Sequence, residues 1–284
     1  MSSQVSARAL RGLSAVVGDM RVDARRESVL GRTDWFPSLG QPIFISGRDE
    51  LAGAVQHMKA RLTNDGLAIV DLDDALDPAA LRALAHCFGQ PIRELDEAVQ
   101  PFVVDDVVLR LKAEYACDLP QLRPFSLSWV SLHSEGSRWP KIERPTSLLF
   151  QCLVPPPPGC GGQTLLCDAW DLVGRLQPAS VEVLRRTIMM PDRCDTPVLS
   201  EGHDGPVLTF RDPVPEPAEW SSGCPAREVY AALHDLLSCA YEPELMRGVH
   251  WRRNRVAIFS NHRFLHGRSR MTDERRVLQR IRIK

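Results

Sequence analysis

The sequence predicts a mainly β protein with helical cover, built on a jelly-roll (double-stranded β-helix) core. From about Val103 onward, short apolar runs of strand length alternate with turn residues. Helical periodicities gather early in the chain and return only as inserts among the strands. The stiff segment Pro155-Pro-Pro-Pro-Gly-Cys-Gly-Gly162 falls between two strand signals and reads as a loop, not a linker. This order of elements fits two packed sheets with helices laid over them.

Each element follows from local pattern. Residues 1–45 are rich in Arg and Ser with weak periodicity, which predicts an N-terminal extension that wraps the domain or is partly disordered. Residues 46–284 show no repeat and no boundary, so they are predicted as one domain. Leu51, Val55, Met58 and Leu62 recur at helical spacing over Asp49 to Arg61. A turn at Gly66 then opens a buried strand to Asp71. Leu81, Leu84, Ala85 and Phe88 give a second amphipathic helix from Pro78, stopped at Gly89. Strands are predicted over 107–111, 126–132, 146–154, 256–260 and 277–283, with helices over 178–187 and 225–241.

Composition narrows the function classes. The 284 residues are 44% hydrophobic and 25% charged, an ordinary globular balance, and 6% aromatic, so the core must be mostly aliphatic. A net charge of −1 argues against general attraction to nucleic acid or membrane. The eight cysteines form no C-x-x-C pair, which argues against a cysteine-rich zinc site. Each reads as a small buried hydrophobe. With no apolar leader and no run long enough to span a bilayer, the expectation is a cytoplasmic protein with reduced thiols and a small-molecule partner. Oligomeric state is left open.

The chemistry-bearing pattern is His133-Ser-Glu135, answered far downstream by His266 within Asn261-His-Arg-Phe-Leu-His-Gly-Arg268. Residues two apart on a strand project to one side, so His133 and Glu135 can reach one ion together. Two imidazoles and a carboxylate suit iron(II) with positions left open, and also accept zinc or manganese. Alone, a His-x-Glu triplet is an ordinary polar pair at a strand end. His262 is a rival ligand four residues before His266. The other histidines, at 57, 86, 203, 234 and 250, lack supporting partners and read as surface or core residues.

The ordered set says more than the triplet. Gly161-Gly-Gln-Thr-Leu-Leu-Cys-Asp168, the Asn261–Arg268 motif and Arg275-Arg276-Val-Leu-Gln-Arg280 follow it in sequence. With these motifs the chain resembles the TauD/TfdA-like family of iron(II)- and 2-oxoglutarate-dependent dioxygenases over roughly residues 50–283. The opening helix–strand–helix, including Leu62-Thr-Asn-Asp-Gly-Leu-Ala-Ile-Val70, resembles the same family. Glu instead of Asp as the carboxylate resembles its clavaminate-synthase-like branch. The resemblance implies that His133, Glu135 and His266 ligate Fe(II). It implies that Thr164 and Arg276 hold the distal carboxylate of the co-substrate 2-oxoglutarate, with O2 as the oxidant. A planar guanidinium suits that task through two parallel hydrogen bonds. Arg280, on the same strand face as Arg276, matches a position that faces the metal pocket and the keto-acid end.

The implied reaction is hydroxylation, desaturation or cyclisation at an unactivated C–H, with release of succinate and CO2. Halogenation is not implied, because the family's halogenases replace the carboxylate ligand with a small residue. Residues 100–130 and 195–225 are expected to wall the pocket. Arg211 and Asp212 read either as a zwitterion-binding pair or as a surface salt bridge. Arg138 and Trp139 read as entrance residues, with a core role as the alternative for Trp139. Thr164 also reads as a plain β-former, and Arg268, Arg270 and Arg275 as solvated charge. The competing classes are a zinc- or manganese-dependent cupin-like isomerase or hydrolase and a non-enzymatic jelly-roll binding module.

Overall fold

A computed structural model describes residues 20–45, 48–113, 120–189, 194–212 and 220–284. Among these residues the larger sheet has eight strands. Its members are β1 (Ile43–Ile45), β2 (Leu67–Leu72), β3 (Pro91–Ile92), β4 (Val103–Asp105), β5 (Val108–Lys112), β7 (Ser147–Val154), β14 (Arg255–Ser260) and β16 (Val277–Ile283). They run in the order β1-β2-β14-β7-β16-β5-β4, with β3 also on β16. The smaller sheet runs β13-β8-β15-β6. Its strands are β6 (Val130–His133), β8 (Thr164–Asp168), β13 (Met246–Val249) and β15 (Phe264–Arg268). Two short pairs complete the β structure: β10 (Leu199–Glu201) with β11 (Pro206–Leu208), and β9 (Thr187–Met189) with β12 (Trp220–Ser222).

Alternation along the strands sorts the core into three layers. Leu67, Ile69, Ala257 and Phe259 of the larger sheet meet Leu166, Val249 and Phe264 of the smaller one in a shared cluster. The intervening residues Ala68, Val70, Val256 and Ile258 turn outward. They pack under α2 (Arg48–Asp65) and α3 (Pro78–His86). On the far side, Leu132, Leu165, Cys167 and Leu265 pack under α1 (Met20–Leu30), α4 (Ala169–Arg175), α5 (Pro178–Leu184) and α6 (Ala226–Ala240). Helix starts have local causes. Asp77 accepts from the Ala80 amide at 2.8 Å ahead of Pro78, and Asp168 caps α4 through Trp170 N–H at 2.8 Å. Gly66, at φ +72°, joins α2 to β2, and a Cβ there would meet Phe264 at 2.7 Å.

Several boundaries differ from those the sequence predicts. The strand expected over 126–132 begins only at Val130, after a 3-10 turn at Pro120–Phe125. The cause is Arg268, which draws the carbonyls of Arg123, Pro124, Ser126 and Ser128 onto its guanidinium. Carbonyls drawn onto a guanidinium are turned out of the line a ladder needs. Arg268 is therefore not the solvated charge expected; it is 5% exposed. Cys87 is exposed, against the expectation of burial, while the other described cysteines are buried or partly so. Cys117 lies outside the described residues.

The described part of the N-terminal segment is bound to the body. Val22, Val29, Leu30 and Phe36 are buried in the cluster under α6. Arg26 donates to both oxygens of Asp212, from Nε at 2.6 Å and Nη2 at 2.8 Å. Tyr241 O–H donates to the same carboxylate and accepts from Leu132 N–H at 3.2 Å. No described helix is long and apolar enough to cross a membrane. Because the Asp212 side chain has 0% exposure, neutralising it removes a buried pair and leaves Arg26 only the more exposed Asp23. Asp212→Asn is expected to cost roughly 3 kcal/mol in urea unfolding; a loss under about 0.5 kcal/mol would show the segment is not anchored there.

Candidate active site

His133 ends β6 and His266 sits mid-β15, and the two are direct cross-strand partners. Their rings lie 4.2 Å apart between centroids. Glu135 follows two residues after His133, where the chain has turned off the strand. Its backbone is held on both sides by Asn261, which accepts from Glu135 N–H at 2.7 Å and donates to Glu135 C=O at 3.0 Å. One carboxylate oxygen, Oε2, stands 3.6 Å from His133 Nε2 and 3.5 Å from His266 Nε2. All three ligand atoms lie within 4.8 Å of one another, and this is the metal-competent group among the described residues. His133 Nδ1 faces the Ser131 carbonyl at 2.9 Å. A carbonyl only accepts, so that nitrogen carries the proton and Nε2 presents its lone pair inward. His262 is exposed and borders a separate cleft with His203 and Arg263.

The electrostatics suit a cation. Burial alone would raise the Glu135 carboxyl, but the Arg282 and Arg280 guanidiniums outweigh it and hold it well below the usual range. Burial, with His133 adding to it, pushes His266 down to about 4 despite Glu135. The site is thus a carboxylate with a neutral imidazole at pH 7, the protonation state that ligation by His266 requires.

Thr164, His266, Arg276 and Arg280 line one small cavity with Glu135 and His133. Arg276 is 3% exposed, and its Nε has no hydrogen-bond partner. Burial pushes its pKa down to about 10. A buried guanidinium without a carboxylate is costly unless an anion is supplied from outside. Gly162, at φ +75°, lets the chain pass this arginine, since a Cβ there would meet Arg276 Cδ at 3.1 Å and Met271 Cγ at 2.9 Å. The Thr164 hydroxyl accepts from Trp251 Nε1 at 3.2 Å, which leaves its own proton to donate. Arg280 also borders the cavity, with Nη2 on Glu94 at 2.7 Å and Nη1 on Glu135 at 3.3 Å.

A larger cleft of about 390 Å³ opens beside the triad, lined among others by Arg123, Arg138, Trp139 and Arg211. Residues 210–212 run against β6, which sets Arg211 opposite His133. The Arg211 Nε is buried without a partner. Burial lowers its pKa against the pull of Glu135, and Arg138 and Arg282 lower it further. Asp212 is not available as the acidic half of a zwitterion site, nor is it in a surface salt bridge. Both its oxygens are engaged by Arg26 and Tyr241 behind the strand. Arg138 and Arg270 are exposed, as is Arg275, which pairs with Asp273.

The family model described as "Taurine catabolism dioxygenase TauD, TfdA family" matches residues 46–282. The chain belongs to the TauD/TfdA family. Its members are iron- and 2-oxoglutarate-dependent dioxygenases, and the chain is an enzyme of this class. It is 25% identical over 183 residues to a 3-((Z)-2-isocyanoethenyl)-1H-indole synthase of Fischerella ambigua (strain UTEX 1903). That match spans 58% of this chain and 66% of the relative's own length. PvcB from Pseudomonas aeruginosa shares the fold, with TM-score 0.62, 22% identity and coverage of 88% of this chain and 90% of that one. So does the non-heme iron oxygenase OrfP, solved with Fe, succinate and (3S)-hydroxy-L-Arg, with TM-score 0.61, 18% identity and coverage of 82% and 80%.

Sequence reasoning missed Glu94, Arg282, Asn261 and Trp251. Arg282 was findable, because it lies two residues past Arg280 on the same strand face. Asn261 stood inside the quoted motif. Glu94 gave no signal. For this TauD/TfdA enzyme, Arg276→Met is expected to weaken 2-oxoglutarate binding at least about 30-fold, roughly 2 kcal/mol for a charged hydrogen-bonded pair. Melting temperature should hold or rise as the unpaired buried charge is removed. Titration of 2-oxoglutarate and a thermal melt of the substituted protein check the two outcomes.

Proposed function

We propose that the enzyme couples oxidative decarboxylation of 2-oxoglutarate to oxidation of an unactivated C–H bond in a small carboxylate-bearing molecule. The observation that carries this reading is the convergence of His133, Glu135 and His266 beside a buried arginine that lacks an anion. The donor set fits iron(II), and the partnerless Arg276 fits the far carboxylate of a keto acid. In this reading His133, Glu135 and His266 hold the metal. Iron supplies open positions and the redox chemistry toward oxygen. Arg276 grips the distal carboxylate through paired N–H donors, and Thr164 adds its hydroxyl proton to the same group. Phe150, Leu111 and Pro124, which line this cavity, keep water from it.

Arg211, with Arg138 at the mouth, receives the substrate's own carboxylate in the larger cleft. The amino-acid product held by OrfP is consistent with a substrate of that size. With Asp212 turned onto Arg26 and Tyr241, the acids left on the described lining of that cleft are Asp96 and Glu135, so the cleft suits a zwitterion as well as a simple acid. Retention of Glu135 favours hydroxylation, or desaturation or cyclisation, over halogenation. The two packed sheets are in this reading the leaves of a jelly roll, with residues 46–284 as its single domain. The seven cysteines among the described residues, all free, suit a reducing, cytoplasmic setting.

Anaerobic titration with iron(II) and 2-oxoglutarate is expected to produce the visible charge-transfer band of the chelate. His266→Ala and Glu135→Ala should abolish both the band and oxygen-dependent succinate release. Wild-type turnover in Glu135→Ala would remove that carboxylate from the iron site.

A further inference from the structure

Behind Glu135 lies a second carboxylate with no place in the reaction as described. Glu94 is 4% exposed and follows β3, far from the triad in sequence. Its Oε1 accepts from Arg280 Nη2 at 2.7 Å and its Oε2 from Arg282 Nη1 at 2.9 Å. Alternation along β16 sets both arginines on the face toward the site. Their remaining donors converge on a single oxygen of Glu135. Arg282 Nε reaches Oε1 at 2.6 Å and Arg280 Nη1 reaches it at 3.3 Å. Trp139 covers the outer face of the Arg282 guanidinium, 4.9 Å from its centroid. Two glutamates and two arginines thus close a buried ring.

We propose that Glu94 is a positioning residue that confines Glu135 to metal ligation through Oε2 alone. The inference rests on the reading of Glu135 as a ligand. The two oxygens of Glu135 face different partners: Oε1 the arginines, Oε2 the imidazoles. Ligation through both would strip Oε1 of two charged donors in a water-poor site. The distinction bears on the reaction. Three protein atoms, two from a chelating keto acid and one from oxygen fill an octahedral ion. A second oxygen from Glu135 would take the place left for the gas.

Glu94 is needed because the arginines cannot do this alone. Two guanidiniums against one carboxylate would leave a net positive charge buried beside a cation site. With Glu94 the ring is neutral, and each planar guanidinium is fixed by one edge while it presents the other to Glu135. The Glu94 backbone is itself held, its N–H on the Asp106 carbonyl at 3.3 Å and its carbonyl on Gln100 Nε2.

The test uses the full chain loaded with Mn(II) as a redox-silent probe. The readouts are Mn(II) affinity by equilibrium dialysis and the metal-bound minus metal-free infrared spectrum, with Glu135→Ala as the blank. A wide gap between the asymmetric and symmetric carboxylate stretches marks one-oxygen ligation, and a narrow gap marks two. The wild type is expected to show the wide gap. Glu94→Gln should narrow it and weaken Mn(II) about tenfold, the usual scale for loss of an outer-shell partner. Glu94→Asp should restore part of both. Arg282→Gln, which removes the shorter Oε1 donor by a different route, should narrow the gap as well and serves if Glu94→Gln does not fold. A narrow gap in the wild type, or an unchanged wide gap in the folded variants, overturns the inference. The oxygenase reading stands or falls separately, on whether the wild type forms the iron–2-oxoglutarate band.

Discussion

Ionisable groups have been taken out of water at one end of an aliphatic sandwich, and the surrounding structure is organised by how each is compensated. The core between the sheets is made mostly of Leu, Ile, Ala, Phe and Val side chains that offer no hydrogen bonds, with Trp251 donating its N–H to Thr164. A charge placed there must find a partner within the protein or be met by a ligand. Glu135, Arg280, Arg282 and Glu94 compensate one another. Arg268 is met by a fan of backbone carbonyls. Arg276 and Arg211 keep buried nitrogens with no partner. Arg268 and Arg280 leave only Nε unbonded and direct their other donors to carbonyls and carboxylates, which sets them apart from Arg276 and Arg211.

Strand register makes this arrangement possible. His266 pairs directly with His133, and the β15–β6 ladder slips just beyond, before Arg268. A shift of one residue would swap the faces of β15, sending His266 to the helical side and Leu265 into the site. The apolar alternation of β15 therefore protects the chemistry as well as the packing. Phe264 faces the same inter-sheet layer as His266, while Leu265 anchors the opposite face under α6. Metal competence and hydrophobic burial are read from one periodic pattern.

Much of this was legible in the sequence, for local reasons. Two-residue spacing and a glycine-bounded helix are short-range signals, so most element positions could be placed and His133 and Glu135 marked together, although Glu135 lies past the end of β6 and not on it. Thr164 and Arg276 needed a family resemblance, because a threonine in a strand and an arginine before one are commonplace. Arg268 was misjudged because its compensation comes from carbonyls about 140 residues earlier, and backbone groups carry no sequence label. Asp212 was misjudged for a related reason: its partner, Arg26, lies in a segment whose composition suggested a loose tail. Long-range pairing of charges is what a single sequence hides most thoroughly.

That last pairing also bears on where the folding unit ends. The family correspondence opens at residue 46, yet α1 lies upstream of it and covers the apolar side of α6 with Val22, Val29 and Leu30. A fragment cut to the recognisable boundary would bare that greasy strip and leave an acid sealed inside with no counter-ion, one residue from the arginine opposite His133. The upstream arm and the catalytic body share one buried apolar cluster, so a fragment opened at the family boundary would leave part of that cluster uncovered.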